Sequence, residues 1–362
     1  MPERVLVVGT GLIGGSIGLA LRKREKAVVR GFDASHETAR TALELGALDE
    51  VAGDLARATE GADVVVVATP VGEILPTIER LAAAAPGTIF TDVGSTKSGI
   101  VAEAERILGP ERPFVGGHPM AGTEGEGVSS ARSDLFEDAL WILTPTERTD
   151  SGAYRHVNAL VSALGARSIA LDPSEHDRLV ALVSHLPYAI ATSLMALAGD
   201  EGDPRVFAAA AGSFRDVTRT AGTNPRVWRD IYATNREAVI AELDQFSKVL
   251  AELRGAVEQE RWDVLDAIIE RARSAQRRFP PKGERSPAEP VTIEVAVPDR
   301  AGVFAEVTTA IGDGGINIED LWVGHTPAGG VLHLVVDGVA TARRAADLLR
   351  ARGFATTTVV ER

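Results

Sequence analysis

Residues able to do chemistry fall into three groups along the chain. The first is Gly9-Thr10-Gly11-Leu12-Ile13-Gly14, a G-x-G-x-x-G run that follows an apolar segment and opens a helix-like one. There the glycines allow a tight turn, let the backbone approach a pyrophosphate and let helix pack closely on strand, while the helix N–H groups face the anion. Gly9, Gly11, Leu12, Ile13 and Gly14 are candidate dinucleotide contacts. Asp33 follows Gly14 by 19 residues, at the end of the second apolar run. A carboxylate at that place accepts from the adenosine ribose hydroxyls and repels a 2′-phosphate, so NAD is expected over NADP. Thr69-Pro70 ends a third run, where a cofactor contact and a plain strand-ending turn are both open readings.

The second group is a pair of segments, Asp92-Val93-Gly94-Ser95-Thr96-Lys97 and Gly116-Gly117-His118-Pro119-Met120-Ala121-Gly122-Thr123-Glu124, each leaving a strand-like run at the same sheet edge. An imidazole titrating near pH 6.5 can take a hydroxyl proton, as hydride loss from an alcohol carbon requires. His118 is the candidate base, with Ser95 beside the same hydroxyl. Without a nicotinamide nearby, His118 reads more readily as a packing residue; beside one, the preference reverses. In the third group His176 and His185 precede Pro187-Tyr188, and Arg219 precedes Trp228. Arg219 suits a bidentate clamp on a substrate carboxylate, or an interhelical ion pair. His36, His156, His325 and His333 lack such a setting, and no histidine pair with ligand spacing stands beside a carboxylate, so no metal is expected.

Positioning these groups takes several elements. At roughly 100–200 residues per domain, 362 residues predict two or three domains. Up to about residue 145, apolar runs at Val5–Val8, Val28–Phe32, Val64–Ala68 and Thr88–Asp92 alternate with helix-like stretches. That is the pattern of an α/β doubly wound parallel sheet, a nucleotide-binding domain over 1–150. An all-helical domain over 151–279 follows. From Asn224-Pro225, apolar residues Trp228, Ile231, Val239, Leu243, Phe246, Leu250, Leu253 and Val257 predict one helix about thirty residues long. Its stripe needs a cover, and a second subunit in a homodimer would supply one. A Pro-rich, charged linker occupies 280–290, and 291–362 show the β-α-β-β-α-β order of a ferredoxin-like module.

Composition narrows the partners. Lys plus Arg number 38 against 51 Asp plus Glu, a net charge of −13. That leaves no footprint for nucleic acid or an anionic membrane. The chain has no cysteine, which excludes thiolate chemistry and Cys-bound metal. With no signal peptide and no membrane span expected from sequence, a cytoplasmic protein acting on a small molecule is the reading.

Together GTGLIGGS, DVGSTK, GGHPMAGTE, SHLPY and FRDVTR…WRD resemble the TyrA family of prephenate and arogenate dehydrogenases over residues 1 to about 279. Residues 291–362, with PDRAGVFAEVTTAIGDGGINI, resemble an ACT domain. The first resemblance implies NAD-dependent oxidative decarboxylation of a cyclohexadienol, giving 4-hydroxyphenylpyruvate or tyrosine. It assigns His118 to the ring hydroxyl with Ser95 assisting, and Arg219 to a substrate carboxylate. Thr123, Glu124, His176, His185, Tyr188 and Trp228 would line the pocket. Many prephenate-specific members read SHLPH, and Tyr188 here replaces the second histidine, which favours arogenate or dual use. The second resemblance implies an amino-acid sensor at Asp299, Gly302 and Asn317, with tyrosine as effector, or a module used for assembly alone. Two rivals are a 3-hydroxyacid or ketopantoate-type dehydrogenase and a non-enzymatic sensor of NAD and an amino acid. The first needs a catalytic lysine, for which the helical half offers Lys248.

Overall fold

The structure, a computed structural model, describes residues 4–24, 27–122, 125–278, 290–298, 300, 303–318, 320–326 and 329–359. It divides into two compact units, 1–251 and 252–362.

The first unit opens with β1 (Arg4–Val8), α1 (Leu12–Lys23), β2 (Val28–Phe32), α2 (His36–Glu44), β3 (Glu50–Val51), α3 (Leu55–Ala58) and β4 (Val64–Val67). It continues with α4 (Val71–Leu81), β5 (Ile89–Asp92), α5 (Ser98–Leu108), β6 (Phe114–Pro119), β7 (Leu140–Thr144), α6 (Ser151–Ala163) and β8 (Arg167–Ala170). One sheet runs in the order β3-β2-β1-β4-β5-β6-β7-β8, parallel except where β7 meets β6. Val5 and Val7 of β1 enter one core with Ile17 and Leu21 of α1 and Leu160 of α6. Leu6 and Val8 enter the other with Ile74 and Ile78 of α4 and Ile100 of α5. Because both faces are covered, Val5–Val8 of β1 and Val64–Val67 of β4 are apolar at every position rather than at alternate ones. Each such Val or Ile, fully buried, is worth about 1.5–3 kcal/mol.

This Rossmann-like sheet extends further than the sequence suggests. α6 belongs to its core, and β8 pairs in parallel with β7, so the sheet runs to residue 170 instead of ending near 150. β8 was hidden by its composition: Arg167-Ser168-Ile169-Ala170 is an exposed edge strand with little apolar content.

The helical part comprises α7 (Pro173–Val180), α8 (Leu186–Asp200), α9 (Pro204–Ala209), α10 (Gly212–Thr218), α11 (Pro225–Thr234), α12 (Arg236–Glu258) and α13 (Trp262–Gln276). The boundary between the two compact units falls inside α12. The single long helix expected from residue 224 is two helices. Asn235 stands between them at φ −120°, ψ 34°, leaving helical geometry while its side chain bonds elsewhere. α7 and α8 join through a π-helical turn over Ala181–His185. Pro187 cannot donate to the carbonyl four residues back, and a wider turn absorbs that loss. Contrary to the sequence reading, the run Pro173–Asp200 is long and apolar enough to span a membrane by length and composition. It nevertheless carries buried His176, Asp177 and His185, each bonded within the unit.

In the second unit β9 (Pro290–Val297), α14 (Val303–Asp313), β10 (Asp320–Thr326), β11 (Gly329–Asp337), α15 (Val339–Ala351) and β12 (Ala355–Val359) form an antiparallel sheet ordered β10-β11-β9-β12. Val291, Ile293, Val295 and Val297 alternate inward onto Val307 and Ile311 of α14 and Ala345 and Leu349 of α15. The linker lies outside the described residues, apart from Pro290, which opens β9.

Candidate active site

Each glycine of the nucleotide turn meets a different constraint. Gly9 sits at φ +90°, and a Cβ there would stand 2.6 Å from the Ala68 carbonyl oxygen. At Gly14 a Cβ would fall 1.9 Å from the Gly9 oxygen, so a side chain would push α1 off β1. Gly11 faces open space, with nothing within 4 Å of its would-be Cβ. Those are a turn glycine, a packing glycine and a glycine that admits a ligand to the backbone. Gly11 caps α1 with no side-chain bond, and the first turn, with Leu12 and Ile13, holds no acid. Its N–H groups suit a pyrophosphate.

The Asp33 carboxylate accepts from Thr10 N at 2.8 Å, Thr10 Oγ1 at 3.3 Å and Ser35 N at 2.9 Å. It thereby ties the glycine turn to β2, and Oδ1 keeps acceptor capacity for a ribose hydroxyl. Thr69, with Pro70, follows β4 where the strand order reverses beside β1, and its Oγ1 is buried without a partner. A buried hydroxyl left unpaired at the ligand edge of such a sheet fits a dinucleotide crossing there. The residues present fit NAD.

His118 lies near the end of β6, opposite Ile142 of β7 and partly exposed. Its Nδ1 is 2.9 Å from His176 Nε2, and His176 Nδ1 is 2.8 Å from Asp177 Oδ1. Burial, aided by His176, Lys97 and His185, pushes the His118 imidazole well below its ordinary pKa. The ring is therefore neutral at pH 7, with a lone pair open to a proton. His176 does not behave as the pocket residue expected from sequence. It is fully buried, and both ring nitrogens are engaged by His118 and Asp177, so it stands behind His118.

Asp177 also accepts from the backbone N–H groups of Lys97 at 2.7 Å and Ser98 at 2.8 Å. It caps α5, whose N-cap residue Lys97 makes no side-chain capping bond. The Asp177 carbonyl accepts from Asn235 Nδ2 at 2.8 Å, and that amide lies 3.2 Å from His185 Nδ1. Burial lowers the His185 pKa to about 4, against the pull of Asp177. A wall of rings follows: Tyr188 stacks on Trp228 at 3.6 Å with planes 3° apart, and His185 meets Trp228 edge-on at 6.1 Å. Trp228 reaches this wall from its own chain. Tyr232 OH closes the wall by donating to the His185 carbonyl at 3.2 Å.

Beneath His118 a buried Lys97–Asp92 ion pair joins the β5–α5 loop to β6. Lys97 Nζ also donates to the Gly117 carbonyl at 3.0 Å. Ser95 is half-buried on that loop, and among the described residues no hydrogen bond joins it to His118. Arg219 is exposed in a short turn that packs on α8, the helix carrying Tyr188. Thr123, Glu124, Asp299 and Gly302 lie outside the described residues, and Asn317 is exposed between α14 and β10. Sequence reasoning did not single out Asp177, Asn235, Lys97, Asp92 or Tyr232. The adjacent His176-Asp177 and the break in apolar spacing around Asn235 were the available signals. Among the described residues no group of His, Asp and Glu is placed to hold a metal ion.

Comparison with known proteins agrees with this geometry. Residues 17–170 match the family described as prephenate dehydrogenase, nucleotide-binding domain, and 172–271 its dimerization domain. Prephenate dehydrogenase of Bacillus subtilis (strain 168) is 34% identical over 360 residues, 97% of either chain. The crystal structure of A. aeolicus prephenate dehydrogenase in complex with hydroxyphenyl propionate and NAD+ aligns with a TM-score of 0.72 at 32% identity, covering 76% of this chain and 98% of that one. Synechocystis arogenate dehydrogenase aligns with a TM-score of 0.68 at 31% identity, covering 76% and 99%. A glycine turn built for a dinucleotide and a neutral imidazole at the same sheet edge thus coincide with these matches: the chain belongs to the prephenate dehydrogenase family and is an NAD-dependent dehydrogenase.

Proposed function

We propose that the enzyme oxidises and decarboxylates prephenate, arogenate or both. The observation that carries this is His118: neutral, bonded from behind, and set on the same sheet edge as the glycine turn. NAD, when bound, supplies the hydride acceptor. His118 Nε2 takes the proton of the ring hydroxyl as the carbon beneath gains carbonyl character, and hands it back to the oxygen once CO2 has left and the ring is aromatic. Arg219 holds a substrate carboxylate, and Ser95 steadies the hydroxyl. The Tyr188 phenol supplies no cation where an imidazolium would pair with a keto acid side chain, which supports arogenate or dual use. Exposed apolar side chains on the helical segment, Leu182, Val183, Leu197, Phe207 and Val217 among them, together with the matched dimerization domain, support a homodimer. The 3-hydroxyacid reading loses support because Lys248 is exposed on α12. Incubating the pure protein with NAD and each substrate, and following NADH by absorbance, tests the assignment. Turnover of at least one substrate is expected. Absence of NADH with both rejects this substrate assignment.

The β-α-β-β-α-β unit fits an ACT domain that binds tyrosine. Its support is the element and sheet order of the second unit, and the likeness of the end product to the substrate. Initial rates with and without millimolar tyrosine decide this: a lower rate is expected, and an unchanged one leaves the module a role in assembly.

A further inference from the structure

The file of groups behind His118 fixes more than its distance from the cleft. Burial opposes charge on Asp177, yet the bonds from His176, Ser98 and Lys97 outweigh it and hold the carboxyl below its usual range. An ionised carboxylate only accepts, so His176 Nδ1 carries a proton. In a neutral ring Nε2 then holds the lone pair, and that atom is the one 2.9 Å from His118 Nδ1. His118 must therefore donate from Nδ1, which leaves its own lone pair on Nε2. The hydrogen bond made by one ring nitrogen sets the protonation of the other.

We propose that His176 and Asp177 are positioning residues which set the tautomer of His118, so that Nε2 is the proton acceptor. This rests on the assignment of His118 as the base. Apart from its hydrogen-bond partner His176, the charged or titratable groups acting on His118 are Lys97 from the β5–α5 loop and His185 from the π-helical turn. All of these disfavour a positive ring. The relay supplies the compensating polarity: once Nε2 is protonated, the Nδ1–H bond to His176 becomes charge-assisted, with the Asp177 carboxylate behind it. No proton moves on to Asp177. Since Asp177 also caps α5, the base is oriented by the same carboxylate that anchors the helical segment to the nucleotide-binding sheet.

Two variants of His176 separate this role from a structural one. In His176→Gln the side-chain amide reaches about as far as Nε2 and can offer its carbonyl to His118 Nδ1–H. In His176→Asn the amide ends near the Nδ1 position, keeps Asp177 and leaves His118 without an acceptor. Expected is a fall in kcat of about 10²–10³ for Asn, with KM and NAD affinity changed less than about threefold, and a recovery of about tenfold or more in Gln. Nitrogen-15 histidine spectra of the NAD-free protein give an independent readout. At pH 7 the wild-type His118 should be protonated on Nδ1, and the Asn variant should shift population to Nε2. A wild-type His118 protonated on Nε2, or equal kcat in wild type and the Asn variant, overturns the proposal. If His118→Asn itself keeps full turnover, the assignment of the base fails, and the spectra still decide the relay.

Discussion

His118→Asn is expected to lower kcat by about 10²–10⁴ while NAD affinity stays within about twofold. The asparagine retains polarity and much of the volume on β6 but has no atom able to take a proton at neutral pH. The residues expected to hold the cofactor lie on α1 and at the ends of β1, β2 and β4, and do not depend on position 118. The pH dependence sharpens the expectation. A base works in its unprotonated form, and burial holds the His118 pKa well below 6.5, with His176, Lys97 and His185 adding to the effect. The acid limb of kcat/KM, which reports the free enzyme, should accordingly lie below pH 6.5. The limb of kcat should lie higher, because a bound substrate dianion favours the imidazolium. Both limbs should vanish in the variant. A full-rate His118→Asn enzyme, or an unchanged acid limb in it, would place the base elsewhere.

The glycine turn could be read from sequence almost residue by residue, because its constraints are local. Gly9, Gly11 and Gly14 act through backbone conformation and close approach, which a short motif encodes, and the apolar runs of β1 and β4 follow from burial on both faces. His118 stood out for a related reason: its residue type suggests a proton acceptor. Its support did not. Asp177 sits 80 residues from Lys97 along the chain and 2.7 Å from its amide in space, and nothing in residue type announces that pairing. Asn235 looked like one polar position in a helical stripe, whereas its side chain serves the Asp177 carbonyl and His185, and the helix breaks to allow it. Residue type gave no sign that Lys97 is buried. A buried lysine and an exposed one are the same letter, and only the carboxylate opposite explains how the charge is tolerated.

Lys97→Met should be the most damaging substitution for the fold of the first unit. The side chains of Lys97 and Asp92 are both fully buried, and Asp92 further accepts from Gly94 N at 2.9 Å and Gly117 N at 3.2 Å. Burial lowers the Lys97 pKa and Asp92 opposes that shift, so the pair holds its charges only jointly. Removing one partner strands a carboxylate in the core, at about 3–5 kcal/mol. For a unit of this size that is a fall in Tm of roughly 6–20 °C. Removing both charges, in Lys97→Met with Asp92→Asn, should recover part of the loss, because no uncompensated ion remains. The site should register the change as well. The Lys97 ammonium disfavours charge on His118, so its removal raises the His118 pKa and moves the acid limb of kcat/KM upward. Thermal and urea unfolding of the single and double variants, alongside pH profiles of whatever activity survives, measure both effects. Strictly additive losses, or a single-variant loss under about 1 kcal/mol, would mean that the Asp92 carboxylate is carried by the Gly94 and Gly117 amides alone. A non-additive recovery together with a raised acid limb would show one buried charge pair holding the strand beneath His118 and tuning its basicity.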